Sequence, residues 1–544
     1  MLYKSVLCLV SCVLCLASFA QETFLPLNRD IYGRHETELN KLNNTFHTSI
    51  KPYRIAELKQ HLNVDSIDNT LYFDSEKART LFGRKLRKEN LIQVNTEDFH
   101  LTIDPLFNLE LGRNFTNDSN AFVNGRGILV TGSIGHHLSF SSSFYENQAT
   151  FVNYLDKYIE TGRVVPGQGY VKGFAPGKTF GKLFKGNAYD YAMASGYISY
   201  TPSKYFNFQF GHDKNFIGDG YRSLLLSDNS FNYPFLKITT NIWKLQYVNL
   251  YTSFLDTRDP LKFNSTGFDK KYASFHYLSW NILKRVNIGF FEGIVWRSED
   301  TAGYKGYDIN YLNPIIFLRP VEFSLGSSDN ALMGLNLKVK ITDGNLFYGQ
   351  LLLDEFRLSK VKSGQGWYAN KQAFQLGLKS FNLFTVKYLN FQTEYNFVRP
   401  YTYTHYNIIQ NYAHYNQPLA HPLGANFWEA VSFLNYRYKS FFIEAKFSYT
   451  LYGADTAGLH YGKDIYASYL DYVHENGNYV GQGLKNTLIY KDIRIAYIVN
   501  PKTNFHLEAG ITNRMQTNAI EGTKTTNFIY FGIRTSLTNH YYDF

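Results

Sequence analysis

From Phe99 to the end of the chain, apolar and polar residues alternate in one stretch after another. Phe99, Leu101, Ile103, Phe107, Leu109 and Leu111 oppose His100, Thr102, Asp104, Asn108, Glu110 and Gly112. Phe441, Ile443, Ala445, Phe447, Tyr449 and Leu451 oppose Glu444, Lys446, Ser448 and Thr450, and the pattern returns at Phe505, Leu507, Ala509 and Ile511. Successive side chains of a strand point to opposite faces, so a period of two gives each stretch one apolar and one polar face. The chain closes in the same way. Ile529, Phe531, Ile533, Thr535 and Leu537 share a face, opposite Tyr530, Gly532, Arg534, Ser536 and Thr538. Counting back by twos from Phe544 gives Tyr542 and His540, the face opposite Leu537. Either the strand stops near Thr538 or a bulge resets its parity.

Two architectures use such strands. A soluble sandwich turns the polar faces to water, and a barrel in lipid turns them to a wet lumen. The links between strands separate the two. Short links fall at 135–137, 202–203, 242–244, 283–285, 342–345, 382–385, 439–440 and 500–503. Long links fall near 114–124, 150–187, 214–235, 257–270, 298–328, 358–370, 399–426, 453–486 and 516–525. A sandwich has no reason to segregate its links by length. The pattern predicts an all-β transmembrane barrel of about 18 antiparallel strands, with short periplasmic turns and long external loops. It puts both chain ends in the periplasm and pairs 526–544 with 99–113 across the closure. No stretch after residue 20 approaches the run of about 20 apolar residues that a spanning helix needs. Only helices and closed barrels satisfy their backbone polar groups in lipid. The 45 Tyr and 45 Phe suit aromatic girdles at both interfaces.

Residues 1–20 read as a secretory signal, with Lys4, an apolar stretch at 6–16 and small residues before Gln21. All three cysteines, Cys8, Cys12 and Cys15, lie there, so the mature chain is expected to hold neither disulfide nor thiol nucleophile. Residues 21–95 read as a small helical segment in the periplasm. Ile55, Leu58 and Leu62 share one helix face, and Asp74 and Ser75 can cap a basic helix through Lys88. That basic face is either solvated or in contact with headgroups or an acidic partner. Residues 96–544 form the barrel. The formal charge of +10 suits acidic polymers and lipid headgroups. An exported chain has little access to nucleic acid.

The loop after Gly211 is the richest in chemistry. Gly218 and Gly220 allow a tight turn. Asp213, Asp219, Arg222, Asp228 and Asn229 supply planar polar groups, and Tyr221, Phe231 and Tyr233 supply ring faces. Sugars are held by such sets, with hydroxyls on carboxylate, amide and guanidinium and C–H faces on rings. The same loop can equally fold inward and plug the lumen. EF-hand spacing is absent. The loop 399–426 carries His405, His414 and His421, nine and seven residues apart, which matches no standard metal spacing. Glu394, Glu444 and Glu508 lie on polar faces and are expected to pair with bases in the lumen. Glu292 sits among Ile288, Phe290, Ile294 and Trp296, the costly face for an acid. Either it is functional or a bulge turns it inward. No Gly-x-Ser-x-Gly elbow is present, and no enzyme activity is expected.

The run Gly218-Asp219-Gly220-Tyr221-Arg222-Ser223-Leu224-Leu225-Leu226-Ser227, with Asn229, resembles the glycine turn and Leu-Ser-Asn block of Wzi-type capsule-assembly proteins. The likeness is closer to their RemB-type gliding-motility relatives from Bacteroidetes. The blocks 313–322, 353–356, 398–403 and 421–427 also look like the RemB type. The resemblance covers most of the mature chain and implies an 18-stranded barrel with a helical N-terminal part. For the Wzi type it implies a surface lectin for capsular polysaccharide, and for the RemB type a role in motility or adhesion. The Wzi-type turn is tryptophan-rich, whereas Asn215-Phe216-Ile217 precede the glycines here. The candidate glycan ligands are thus Asp213, Asp219, Tyr221, Arg222, Asp228, Asn229 and Tyr233, with Arg319, Glu322, Arg399, Tyr401 and His405. The expected partners are outer-membrane lipid and a surface polysaccharide or an adhesin or motility protein. The chain is expected to be a monomer without cofactor or metal. The alternatives are an outer-membrane channel and an accessory subunit of a secretion or motility machine.

Overall fold

The computed structural model describes residues 23–64, 66–67, 78, 80–174, 188–259, 261–262, 267–300, 303–314 and 317–544. The expected signal at 1–20 and the expected caps Asp74 and Ser75 lie outside the described residues.

Eighteen antiparallel strands close into a barrel, each paired with its neighbour in sequence. They are β1 Phe99–Asn114, β2 Ser119–Ile134, β3 Leu138–Thr150, β4 Ala188–Ser203, β5 Phe206–Asp213 and β6 Tyr233–Ile242. Next come β7 Leu245–Asp256, β8 Asp269–Leu283, β9 Val286–Arg297, β10 Asn330–Thr342, β11 Asn345–Leu353 and β12 Gln372–Ser380. The last six are β13 Leu389–Val398, β14 Phe427–Tyr438, β15 Phe441–Ala454, β16 Leu484–Asn500, β17 Phe505–Asn518 and β18 Gly522–Thr535. The seam joins β18 to β1, from Phe528↔Asn114 to Arg534↔Asn108. Below it, Ile92–Asn95 takes over as partner of β1. Two links expected to be long, 114–124 and 516–525, are short, because the strands on either side run further into the long-loop end.

The alternation decides the faces. Phe210, Ile198, Phe144, Leu335, Ile493, Ile511 and Phe531 point outward and are exposed on the barrel wall. Each such side chain gains roughly 1.5–3 kcal/mol on leaving water, so a belt of them is stable only in lipid. The inward face meets a filled lumen rather than a wet one. Leu224, Leu225 and Leu226 are fully buried there, against Val248, Leu250 and Phe254 of β7, Phe275 of β8 and Leu332 of β10.

Both ends of the barrel chain depart from expectation. Residues 24–61 do not stand apart as a periplasmic segment; they enter the lumen from the short-turn end. Ile50 and Lys51 pair with Ile217 and Phe216. The Lys340 ammonium donates to the carbonyls of Leu39, Lys41 and Asn44. The helix Ile55–His61 buries Leu58 against Tyr32, Leu39, Phe46 and Tyr53, and Glu57 accepts from Gln246 of β7 at 2.9 Å. At the other end, β18 stops at Thr535, where its hydroxyl bonds the backbone of Phe107. Residues 536–544 leave the sheet and climb back through the lumen. The parity slip after Leu537 is therefore the end of a strand and not a bulge. Phe544 lies at the long-loop mouth of the barrel, not at its short-turn end.

Candidate functional site

The chemistry-rich loop 214–232 folds into the lumen. The backbone at Gly220 passes so close to Glu394 that a Cβ there would collide with its Oε2. This approach lets the Tyr221 and Arg222 amides donate to Glu394 at 2.8 and 3.1 Å. The Arg222 guanidinium then meets Glu429 through two bonds, 3.2 and 2.8 Å, and Asp543 at 3.0 Å. Asp543 also accepts from Lys446 at 2.6 Å and from the Tyr221 hydroxyl at 3.0 Å, and His421 bonds Glu429 at 2.8 Å. Arg222, Glu429 and Asp543 are all at most 1% exposed. A fork of donors on two carboxylates is the geometry that makes a buried guanidinium tolerable.

The other candidates in this loop are equally committed to the protein. Asp219 accepts from Thr48 and from Asn336 at 3.1 Å. Asp228 holds Asn539 and Tyr541 of the returning chain at 2.8 and 2.7 Å, and Asn229 donates to Pro418. Asp213 caps the Lys214 amide, and the buried Tyr233 hydroxyl accepts from Asn215. The loop 399–426 lies over this layer. The Tyr401 hydroxyl donates to the His460 carbonyl, Arg399 to that of Asn370, and buried His405 accepts from the Asn407 amide. Tyr403 and Tyr412 donate to the carbonyls of Leu224 and Leu225. The ten candidates from these two loops thus build an internal plug. Eight of them are buried, Asp213 and Arg399 are half-buried, and their polar groups are already bonded to the protein itself, so their assignment as ligands of a surface glycan does not fit.

The expected pairing of lumen acids with bases holds for two of three. Glu444 meets Arg29 and Arg494, and Glu508 meets Arg534 and Arg494. Glu394 takes backbone amides, Tyr348 and Asn396 instead.

Arg319 and Glu322 lie elsewhere. They pair at 2.8 Å on the helix Leu318–Leu325, which packs on the outer wall of the barrel. Glu292 stays on its apolar face without a bulge, and this helix covers it. Its carboxylate accepts the amides of Phe317, Leu318 and Arg319 at the helix start.

At the long-loop end the plug leaves an open cup of about 1110 Å³. One wall is the helix Asn153–Gly162, which buries Leu155 and Ile159 and presents Tyr154, Lys157 and Tyr158. Its floor includes Phe544, whose ring packs 4.8 Å from that of Tyr158. The Arg514 guanidinium stacks 4.4 Å over Tyr154 and donates to the main-chain oxygen of Phe544 at 3.0 Å. Lys463 sits 5.0 Å from the ring of Tyr452, and burial pushes its ammonium down to about 8 against the pull of Asp455 and Asp464. The lining holds five cations, Lys157, Arg258, Lys463, Arg514 and Lys524, against two carboxylates, Asp464 and Glu521. Neither Lys463 nor Arg514 has a side-chain carboxylate within 4 Å among the described residues; Lys463 donates to the Leu423 carbonyl. Five rings and several amides share the surface, including Asn114, Asn117, Asn416 and Gln516. None of these residues was a candidate from sequence. The Tyr154, Lys157, Tyr158 spacing was the available sign, since i, i+3 and i+4 share a helix face.

No family model matches the chain, and no curated protein matches its sequence. Its fold is similar to that of Wzi, an outer membrane protein involved in group 1 capsule assembly in Escherichia coli and described as a carbohydrate-binding β-barrel. The identity is 13%, the match covers 94% of this chain and 99% of that one, and the TM-score is 0.54. OprD of Pseudomonas aeruginosa matches at 10% identity over 85% of this chain and 98% of its own, with a TM-score of 0.41. OccAB2 of Acinetobacter baumannii matches at 10% identity over 80% and 96%, also with a TM-score of 0.41.

Proposed function

We propose that this chain is a non-enzymatic outer-membrane barrel whose external cup binds an acidic cell-surface polysaccharide and holds it at the cell. The observation that carries the reading is the cup: an open, ring-lined cavity with five cations facing two carboxylates, above a lumen closed by the protein itself. Uronic acid carboxylates suit Arg514 and Lys463, and pyranose C–H faces suit Tyr154 and Tyr158. The likeness to a barrel described as carbohydrate-binding supports the same reading.

Titration of the purified chain with an oligouronate and with a neutral glucan of equal length tests it. The oligouronate is expected to bind saturably and the glucan weakly. Lys463→Gln and Tyr158→Ala should each weaken the oligouronate roughly tenfold, the loss of about one charged hydrogen bond or one ring contact. Equal affinity for both polymers, or for wild type and both variants, overturns the assignment. A deletion strain scored together for capsule retention and for gliding separates attachment of polysaccharide from motility or adhesion.

A further inference from the structure

The outer wall of β7 to β9 carries polar groups on the side that should meet lipid. A flap formed by residues 303–314 and 317–325 covers them. Asn249 and Tyr251 donate to the carbonyls of Pro314 and Leu312 at 3.2 and 3.0 Å, and Ser274 donates to that of Tyr311 at 2.7 Å. Glu292 fixes the helix Leu318–Leu325 through its first amides. The flap is thus a built part of the wall and carries Arg319 at a defined place.

Beside it lies a cleft of about 330 Å³, bounded across from the flap by residues 354–369. Its floor is Met333 and Leu353, which face each other across β10 and β11 on the outward side. The same outward faces continue toward the short turns as exposed Phe290, Leu335 and Leu351. The floor is therefore the upper end of the apolar belt. Two guanidiniums line the cleft, with Asp354 and Glu355, whose carboxylates both pair with buried Lys371 at 3.0 and 3.4 Å. Arg319 is half exposed and pairs with Glu322. Arg357 stacks 5.3 Å from Trp367, and its guanidinium has no ion-pair partner among the described residues.

We propose that this cleft holds a membrane lipid with a phosphate headgroup, taken from the leaflet on the long-loop side. An acyl chain lies on Met333 and Leu353, and the phosphate sits between Arg319 and Arg357. Guanidinium forks match phosphate oxygens bidentately. A cation at the headgroup level contributes about 1 kcal/mol of attraction to anionic lipid. The inference rests on the reading of the barrel as membrane-spanning and is independent of the glycan in the cup.

The test uses the full chain in detergent, mixed with lipid A, with dioleoylphosphatidylglycerol or with phosphate-free dioleoylglycerol, and read by native mass spectrometry. Wild type is expected to retain one phosphate-bearing lipid and little dioleoylglycerol. Arg319→Gln and Arg357→Gln are expected to cut retention roughly fivefold for each guanidinium removed. Preferred retention of lipid A or of phosphatidylglycerol identifies the source, and either supports the site. Unchanged retention in the double variant, or equal retention of dioleoylglycerol, overturns it. Flotation of wild type with liposomes reads the premise separately. A chain that fails to float overturns the membrane reading, and one that floats with unchanged retention in the double variant overturns the cleft alone. Both arginines reach the surface, so the variants are expected to keep the heat-resistant gel mobility of the folded barrel.

Discussion

At the scale of single residues, the plug turns on Arg222 and the glycine before Tyr221. Arg222 neutralises two buried carboxylates, Glu429 and Asp543. Arg222→Ala leaves both without their fork, a loss of about 3–5 kcal/mol. The expected result is a markedly lower thermal unfolding midpoint, with oligouronate affinity per folded molecule unchanged. A specific loss of glycan affinity at full stability would return Arg222 to the binding site. Gly220→Ala places a methyl against Glu394 and is expected to disrupt the same layer. The cup behaves differently with pH. Lys463 is charged below about 8, so its contribution to binding a carboxylate is present at neutral pH and lost as pH rises through that value. Oligouronate affinity should fall between pH 7 and pH 9 in wild type and stay flat in Lys463→Gln. Arg514 remains charged throughout, so binding weakens without vanishing.

At the scale of elements, the last residues and the outer flap are the informative ones. Residues 536–544 bring Asn539, Tyr541 and Asp543 to Asp228, Tyr221, Arg222 and Lys446. They behave as a latch on the plug rather than as barrel strand. Asp543→Asn is expected to destabilise the chain, and the effect should be strongly non-additive with Lys446→Met, because one carboxylate serves both partners. Additive effects in that cycle would show that the latch does not act through this ion pair. On the outer wall, Glu292→Gln replaces a carboxylate that accepts three amides. A cost of about 1.5–3 kcal/mol follows for a hydrogen bond to a charged group. Limited proteolysis should then cut between 303 and 325 faster, with the barrel core resistant. Flap cleavage at the wild-type rate would show that the helix is held by Tyr307, Tyr311 and Leu318 instead.

At the scale of the whole molecule, the lumen is occupied by residues 24–61, 214–232, 399–426 and 536–544. An intact chain in a planar bilayer is expected to give no steady conductance, and a chain lacking 24–61 is expected to conduct. A large ohmic step from the intact chain would contradict the plugged lumen and favour a channel. The barrel itself was legible because alternation and link length are local. Phe99 to Gly112 shows its two faces without reference to any other strand, and the eight short turns fix the sense of the rest. Seam partners followed once the number was even. Occupancy of the lumen was not legible. Asp219, Tyr221 and Arg222 have the composition of a sugar site and also of a satisfied buried network. Sequence cannot distinguish a polar group aimed at solvent from one aimed at Glu394 or Glu429, many residues away. Leu224, Leu225 and Leu226 were the local sign of burial, since three successive leucines in a loop cannot all avoid water unless the loop is packed. The cup was missed for the same reason. Its cations and rings come from residues 157, 258, 463, 514 and 544, and only closure of the barrel makes them neighbours. The sequence by itself determined a closed barrel of about 18 strands with an apolar exterior, because a period of two and a backbone that must pair in lipid leave no other solution. The tertiary structure alone decided that the lumen is filled and that an open cup lined by cations and rings lies above it, because those facts depend on which distant groups meet.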